Sequence, residues 1–460
     1  MSLASSLTRS AWAALGGGPS QLARLSFTGQ GALPSTFAVT DVASAAIAVA
    51  ALSMGELVET PEGETPTITV DRRLASMWFA WSIRPSGWAL GPLQGALTGD
   101  YRAKDGWIRL HANAPQHQAA AERVLGVAGG PAAVGRRVAT WTKEALETAV
   151  LEAGGCAAEM RSTEQWLAHP QGRAVGAEPL AHIDATGDCG APLASRAAPS
   201  RPLAGLRVLD LTRVLAGPVA TRFLAGFGAE VLRIDPPEWD EPGVVPEVTL
   251  GKRCARLDLK RREDRSCFES LLATTQVLIH GYRPAALDRL GYDAAHRRAL
   301  SPGLVDVALD AYGWSGPWAQ RRGFDSLVQM SGGIAQAGMA WKHTDRPVPL
   351  PVQALDHATG YLAAAAALRG VATRRRSGCG WRARLSLART AQWLLDPGPG
   401  HTLSALAPES ADDRAPGIEA TSWGPAERLR APVVIADIPM HWSLPATALG
   451  SAQARWSGPA

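Results

Sequence analysis

The apolar positions from residue 206 onward fall in short runs separated by longer segments of mixed polarity. Leu206-Arg-Val-Leu-Asp-Leu211 has the length and aliphatic content of a buried strand. Residues 219–227 read as a helix, with Pro218 at the start, where a missing N–H costs nothing, and Gly228 at the end. Glu230-Val-Leu-Arg-Ile-Asp235 follows as a second strand. Strand, short turn, helix and strand make a βαβ unit, which predicts an α/β fold with a parallel sheet. A helix over 267–274 and strands at Gln276-Val-Leu-Ile279 and Leu304-Val-Asp-Val-Ala-Leu309 continue the pattern, giving a large domain over 205–396.

Earlier in the chain, Gly99-Asp-Tyr-Arg-Ala-Lys-Asp-Gly-Trp-Ile-Arg-Leu-His111 reads as a hairpin turning at Lys104-Asp-Gly106. Helices are expected at 116–125, 143–153 and 163–168, so 98–175 forms a smaller α+β domain. Repeated Ala, Gly, Pro and Ser mark 176–204 as a linker, and 397–460 as a loop-rich tail. A faint internal repeat covers the start of the chain. Shifted by 315 positions, Asp41 falls on Asp356, Gly55 on Gly370, Gly63 on Gly378 and Trp78 on Trp393. Residues 1–97 are therefore read as a partial repeat of the large-domain helix region around Asp41.

Composition narrows the function. A chain of 460 residues needs two or more cores. The net charge of +4 is spread out, with no Lys/Arg stripe and interleaved aromatics, so anionic small ligands are expected and nucleic acid is not. The longest apolar run, 43–52, is too short to span a bilayer, and no membrane association is expected. Five scattered cysteines without a CxxC pair predict no metal site, no disulfide framework and a reducing, cytoplasmic setting.

The first βα turn, Asp210-Leu-Thr-Arg-Val-Leu-Ala-Gly-Pro218, lacks the GxGxxG that a dinucleotide needs, so a nicotinamide dehydrogenase is disfavoured. Asp356 stands just ahead of the alanine run 363–367, where an acid is either a helix cap or a poised carboxylate. Its neighbour His357 cannot face it on a helix and is taken as incidental.

Several spaced motifs decide between cap and carboxylate. Pro202-Leu-Ala-Gly-Leu-Arg-Val-Leu-Asp-Leu-Thr-Arg-Val-Leu-Ala-Gly-Pro218, then Leu224-Ala-Gly-Phe-Gly-Ala-Glu-Val-Leu-Arg-Ile-Asp-Pro236, resemble the start of the family III CoA-transferases. Gly251-Lys-Arg253, Gly281-Tyr-Arg-Pro284 with Arg289-Leu-Gly291, and Gly323-Phe-Asp325 through Gln329-Met-Ser-Gly-Gly333 resemble further motifs of that family, in order. The hairpin at Asp100 and Glu164-Gln-Trp-Leu-Ala-His-Pro170 resemble its small domain, which here precedes the large one instead of following it.

The resemblance implies a Rossmann-like CoA-binding domain with a smaller α+β domain, and a CoA-transferase that works on an acyl-CoA and a carboxylic acid. It implies Asp356 as nucleophile, forming an aspartyl-CoA thioester, with coenzyme A as a substrate and no permanently bound cofactor. Lys252, Arg253, Gly281, Tyr282, Arg283 and Arg289 become the CoA contacts, since guanidinium and ammonium groups suit phosphate oxygens. Free N–H groups at the start of the Asp356 helix are expected to keep that carboxylate ionised and to hold an oxyanion. The alternatives are an acyl-CoA racemase or isomerase and a non-catalytic acyl-CoA-binding homologue. Racemases of the group carry a histidine where this chain has Phe324, which cannot take a proton. Asp41 is read as a structural or vestigial counterpart of Asp356. A homodimer is expected, although the changed domain order lets one chain supply both parts of the site.

Overall fold

The computed structural model describes residues 1–58, 66–193, 200–400, 404–436 and 438–458. Its largest sheet has seven strands: β1 (His182–Cys189), β2 (Arg207–Leu211), β3 (Glu230–Asp235), β4 (Lys252–Arg256), β5 (Val277–His280), β6 (Val305–Asp310) and β7 (Cys379–Ser386). Their spatial order is β4-β3-β2-β5-β6-β7-β1. All neighbours run parallel except β1, which lies antiparallel on β7. Strands β2 and β5 to β6 are buried on both faces, which is why they read as apolar runs instead of alternating. The fold is α/β, as the βαβ spacing requires.

The expected linker is in part structure. Strand β1 lies inside 176–204, and its polar, small-residue sequence suits an exposed edge. Residues 194–199 of that stretch are outside the described residues. The pairing of β1 with β7 sets Cys189 opposite Cys379, and the two are joined in a disulfide. Scattered spacing gave no sign of this, because the partners meet only through a strand pairing 190 residues apart in sequence.

Of three long buried helices, α1 (Val39–Gly55) lies against strand Ile68–Asp71, while α2 (Ala216–Gly226) and α3 (Ala354–Ser377) lie on the large sheet. Helix α3 packs between the other two. Its middle is buried on every side and its five alanines 363–367 are inaccessible, as a helix segment surrounded by protein must be. At Gly360 a β-carbon would lie 2.4 Å from the Ala216 carbonyl oxygen, so glycine permits the close approach of α2.

The shift of 315 positions also relates structure to structure. It carries α1 onto the first 17 residues of α3 and strand Ile68–Asp71 onto the end of β7. It carries helix Arg72–Trp78 into helix Leu387–Leu395, with Asp71 and Ser386 as the corresponding side-chain caps. Gly63, one of the matched glycines, lies outside the described residues. The tail after 397 is extended but tied down: Val433–Ile435 pairs with Ile68–Asp71, and Gly424–Arg428 with Ile83–Pro85.

The smaller unit is the antiparallel sheet Gly99–Ala103, Gly106–Leu110 and Ala157–Glu159 under helices Pro115–Leu125, Pro131–Val138 and Lys143–Glu152. Helix Pro131–Val138 was not anticipated; its two arginines and glycine hide a short apolar face of Val134 and Val138. A buried ion-pair cluster joins this unit to the large one. Glu147 binds Arg161 at 3.0 Å and Arg321 at 2.8 Å, and both guanidiniums lie over the Trp318 ring.

Candidate active site

A cleft of about 340 Å³ opens at the carboxyl ends of β2, β5 and β6. Strand order reverses between β2 and β5, and open α/β sheets hold ligands at that point. Asp356, in the first turn of α3, is 7% exposed and lines this cleft. Gly281, Tyr282 and Arg283 line it from the loop after β5, and Gln116 and His117 from the smaller unit. One chain therefore contributes both units to the wall.

The start of α3 does not present free amides. Asp325 Oδ2 accepts the N–H groups of Leu355 and Asp356, both at 2.9 Å. The Ala354 N–H goes to Val352 O at 2.8 Å, and the His357 N–H to Gln353 O at 3.1 Å. Asp325 Oδ1 accepts from Gln329 Nε2, and Gln329 Oε1 accepts the Leu350 N–H at 2.7 Å. The expectation that these amides keep Asp356 ionised and hold an oxyanion is corrected: Asp325 occupies two of them and backbone carbonyls the others. Burial, then the charges of Asp325 and Glu241, push the Asp356 carboxyl well above the usual range. Burial likewise raises Asp325, to about 6, against the hydrogen bonds it accepts. The sequence offered Asp325 inside its Gly323-Phe-Asp325 motif, but only the fold aims it at α3.

Two of the expected CoA contacts are corrected. Lys252 is fully buried, pairs with Asp210 Oδ2 at 3.0 Å and donates to Pro218 O at 2.9 Å. Burial pulls its pKa down to about 8 although Asp210 opposes this. It clamps β4 to β2 and the start of α2, out of reach of the cleft. Arg253, next along β4, turns to the opposite face of that strand and holds the C-terminal segment through Arg455 O at 2.7 Å and Ser457 Oγ at 2.9 Å. Adjacent strand residues point to opposite faces, and β4 is the edge farthest from β6 and β7.

Arg289, on the short helix Ala286–Arg289, is not on the cleft wall, but its charge acts on Arg283. Burial, then Arg322 and Arg289, pull the Arg283 pKa down. Arg213, Arg321 and Arg322 also line the cleft and were not singled out from the sequence. Arg213 lies over the rings of Trp239 at 4.4 Å and Tyr282 at 5.1 Å, so stacking fixes its plane.

His357 packs on Phe79 with ring centroids 4.9 Å apart, away from the cleft. Phe324 is stacked on His111 at 3.7 Å. Asp41 pairs with Arg72 at 2.6 Å, a position that the 315-residue shift matches to the cleft residue Leu387.

A family model described as CoA-transferase family III matches residues 203–453. The chain is 34% identical over 202 residues to an acetyl-coenzyme A transferase of Hypoxylon pulicicidum, covering 43% of this chain and 34% of that one. It is 32% identical over 197 residues to a succinyl-CoA–D-citramalate CoA-transferase of Chloroflexus aurantiacus, covering 40% and 48%. The chain thus spans about half or less of the length of these relatives. A crystal structure of a CaiB/BaiF family protein from Brucella suis is similar at 25% identity and a TM-score of 0.38, covering 49% of this chain and 65% of that one.

Proposed function

As the chain belongs to CoA-transferase family III, we propose that it moves CoA from an acyl-CoA thioester to a carboxylic acid through an aspartyl-CoA thioester on Asp356. The observation that carries this reading is a buried carboxyl on the wall of the switch-point cleft, beside the Gly281-Tyr-Arg283 loop.

The chemistry is nucleophilic exchange. An ionised Asp356 oxygen attacks the thioester carbon, the C–S bond breaks, and CoA leaves as thiolate. The mixed anhydride is then attacked by that thiolate at the Asp356 carbonyl, which releases the first acid and leaves the aspartyl thioester. The acceptor carboxylate repeats the sequence in reverse. No step needs a proton taken from carbon. Arg283, with Arg213 and Arg322 close to the cleft, supplies positive potential for the phosphates and carboxylates of both substrates.

Mass spectrometry of the protein after incubation with an acyl-CoA mixture tests the reading. A CoA adduct on Asp356 that disappears in Asp356→Asn, while acyl-CoA binding persists, is the expected result. Transfer at a normal rate in that variant would sink the nucleophile. Absence of any adduct in the unmodified chain would favour a non-catalytic binding homologue. Racemisation is the weaker alternative, because Phe324 offers no base and is stacked against His111; deuterium entering the α-carbon without CoA exchange would revive it. Homodimerisation stays part of the proposal as an arrangement that the site does not require. A sedimentation coefficient of a monomer with full activity would remove it.

A further inference from the structure

His117 belongs to the smaller unit, in the first turn of helix Pro115–Leu125, and lines the same cleft as Asp356. It is 6% exposed, and its Nδ1 is buried without a hydrogen-bond partner among the described residues. Buried polar atoms are almost always bonded, so an unpaired ring nitrogen in a cleft-lining residue is a reason to look for a ligand partner there. The ring meets the edge of Phe324 at 6.0 Å between centroids, and Phe324 is itself held against His111. Packing therefore fixes the imidazole.

Its charge state is set by what surrounds it. Burial, then the guanidiniums of Arg322 and Arg283, pull its pKa down to about 4; His111 is the other titratable neighbour and is held down as well, to about 3. The imidazole is neutral at ordinary pH, with one N–H to give. Such a weak base is a poor match for removing a proton from carbon. As a neutral hydrogen-bond donor it is well suited, and the amides at the start of α3 are all taken.

We propose that His117 donates a hydrogen bond from its neutral imidazole to the carbonyl oxygen of the acyl group as Asp356 attacks. This rests on the transferase reading of the site. As the bond from the Asp356 oxygen to the thioester carbon forms, the carbonyl oxygen takes up negative charge; when the C–S bond breaks, that charge leaves on the CoA thiolate. No proton changes owner, and His117 stays neutral throughout. The smaller unit thereby completes the reacting centre within a single chain.

The test uses the full chain, acetyl-CoA and succinyl-CoA as donors, a panel of free carboxylic acids, and two variants. His117→Phe should lower kcat about 10²-fold, the usual loss for one oxyanion donor, with the CoA dissociation constant unchanged. His117→Gln, whose side-chain amide can donate, should restore most of that loss. Wild-type kcat in His117→Phe, or a glutamine variant no faster than the phenylalanine one, overturns the proposal. Where the phenylalanine variant melts early, the two variants are compared at equal folded fraction, and the same criterion applies. If the unmodified chain forms no adduct on Asp356, the transferase reading falls and takes this one with it. An adduct formed normally alongside an unaffected His117→Phe overturns the role of His117 alone.

Discussion

Replacing Asp325 by asparagine separates its capping of α3 from the charge it places beside Asp356. The Asp325 side chain is 2% exposed and accepts three hydrogen bonds: two from the Leu355 and Asp356 amides at 2.9 Å and one from Gln329. Asparagine has a single acceptor oxygen. Kept on the two amides, it turns its own NH₂ toward Gln329 Nε2, and Gln329 cannot turn over without giving up the Leu350 N–H. One buried donor is left without an acceptor, at roughly 1–3 kcal/mol. The denaturant midpoint should fall by that amount with its slope unchanged.

The same change removes a negative charge that, after burial, is the largest cause of the raised Asp356 pKa. Asp356 then loses its proton at lower pH, so the acid limb of adduct formation moves to lower pH while its plateau stays. The sign of the stability effect follows from linkage. Both carboxyls are raised in the folded state, so each contribution is complete below the ordinary carboxylate pKa and is lost as pH rises through the folded pKa, about 6 for Asp325 and well above the ordinary range for Asp356. Denaturant midpoints across that window should fall with pH in the unmodified chain and less steeply in Asp325→Asn. An acid limb in the same place in both proteins, or midpoints that coincide at every pH, would refute the coupling.

Two further outcomes follow from the corrected cation roles. Lys252→Met strands the Asp210 carboxylate in the core and should destabilise the chain by about 3–5 kcal/mol, read as a lowered denaturant midpoint, without changing acyl-CoA affinity in the folded fraction. Arg283→Ala should weaken acyl-CoA binding by roughly 1.5–3 kcal/mol in titration calorimetry, whereas Arg253→Ala, which releases the C-terminal segment and Glu230, should not. Equal losses in the two arginine variants would return Arg253 to the CoA site.

The pattern of apolar runs made the α/β core legible because parallel strands buried on both faces must be apolar throughout, and the helices between them must pack back onto the sheet. Asp356 was legible as a candidate from its place after an ordered series of motifs, and it lines one cleft with Gly281, Tyr282 and Arg283. Lys252 and Arg253 were misplaced because a cation in a motif reads the same whether it faces a phosphate or a buried aspartate. Asp210, which decides the matter for Lys252, is 42 residues away in sequence and two strands over in space. His117 carried no signal of its own, since a histidine on a helix is common, and the motif that holds Asp325 does not say that its carboxylate caps α3.

The sequence by itself determined four of the seven strands of the large sheet, the helices between them, the repeat between the regions around Asp41 and Asp356, and the carboxyl most worth testing. All of these depend on local periodicity or on residues that lie close along the chain. Tertiary structure alone decided which amides at the start of α3 are occupied, which cations are consumed in the core, and that both units reach one cleft from one chain. Those outcomes depend on side chains brought together from distant segments, where burial and neighbouring charge set the chemistry and residue type does not.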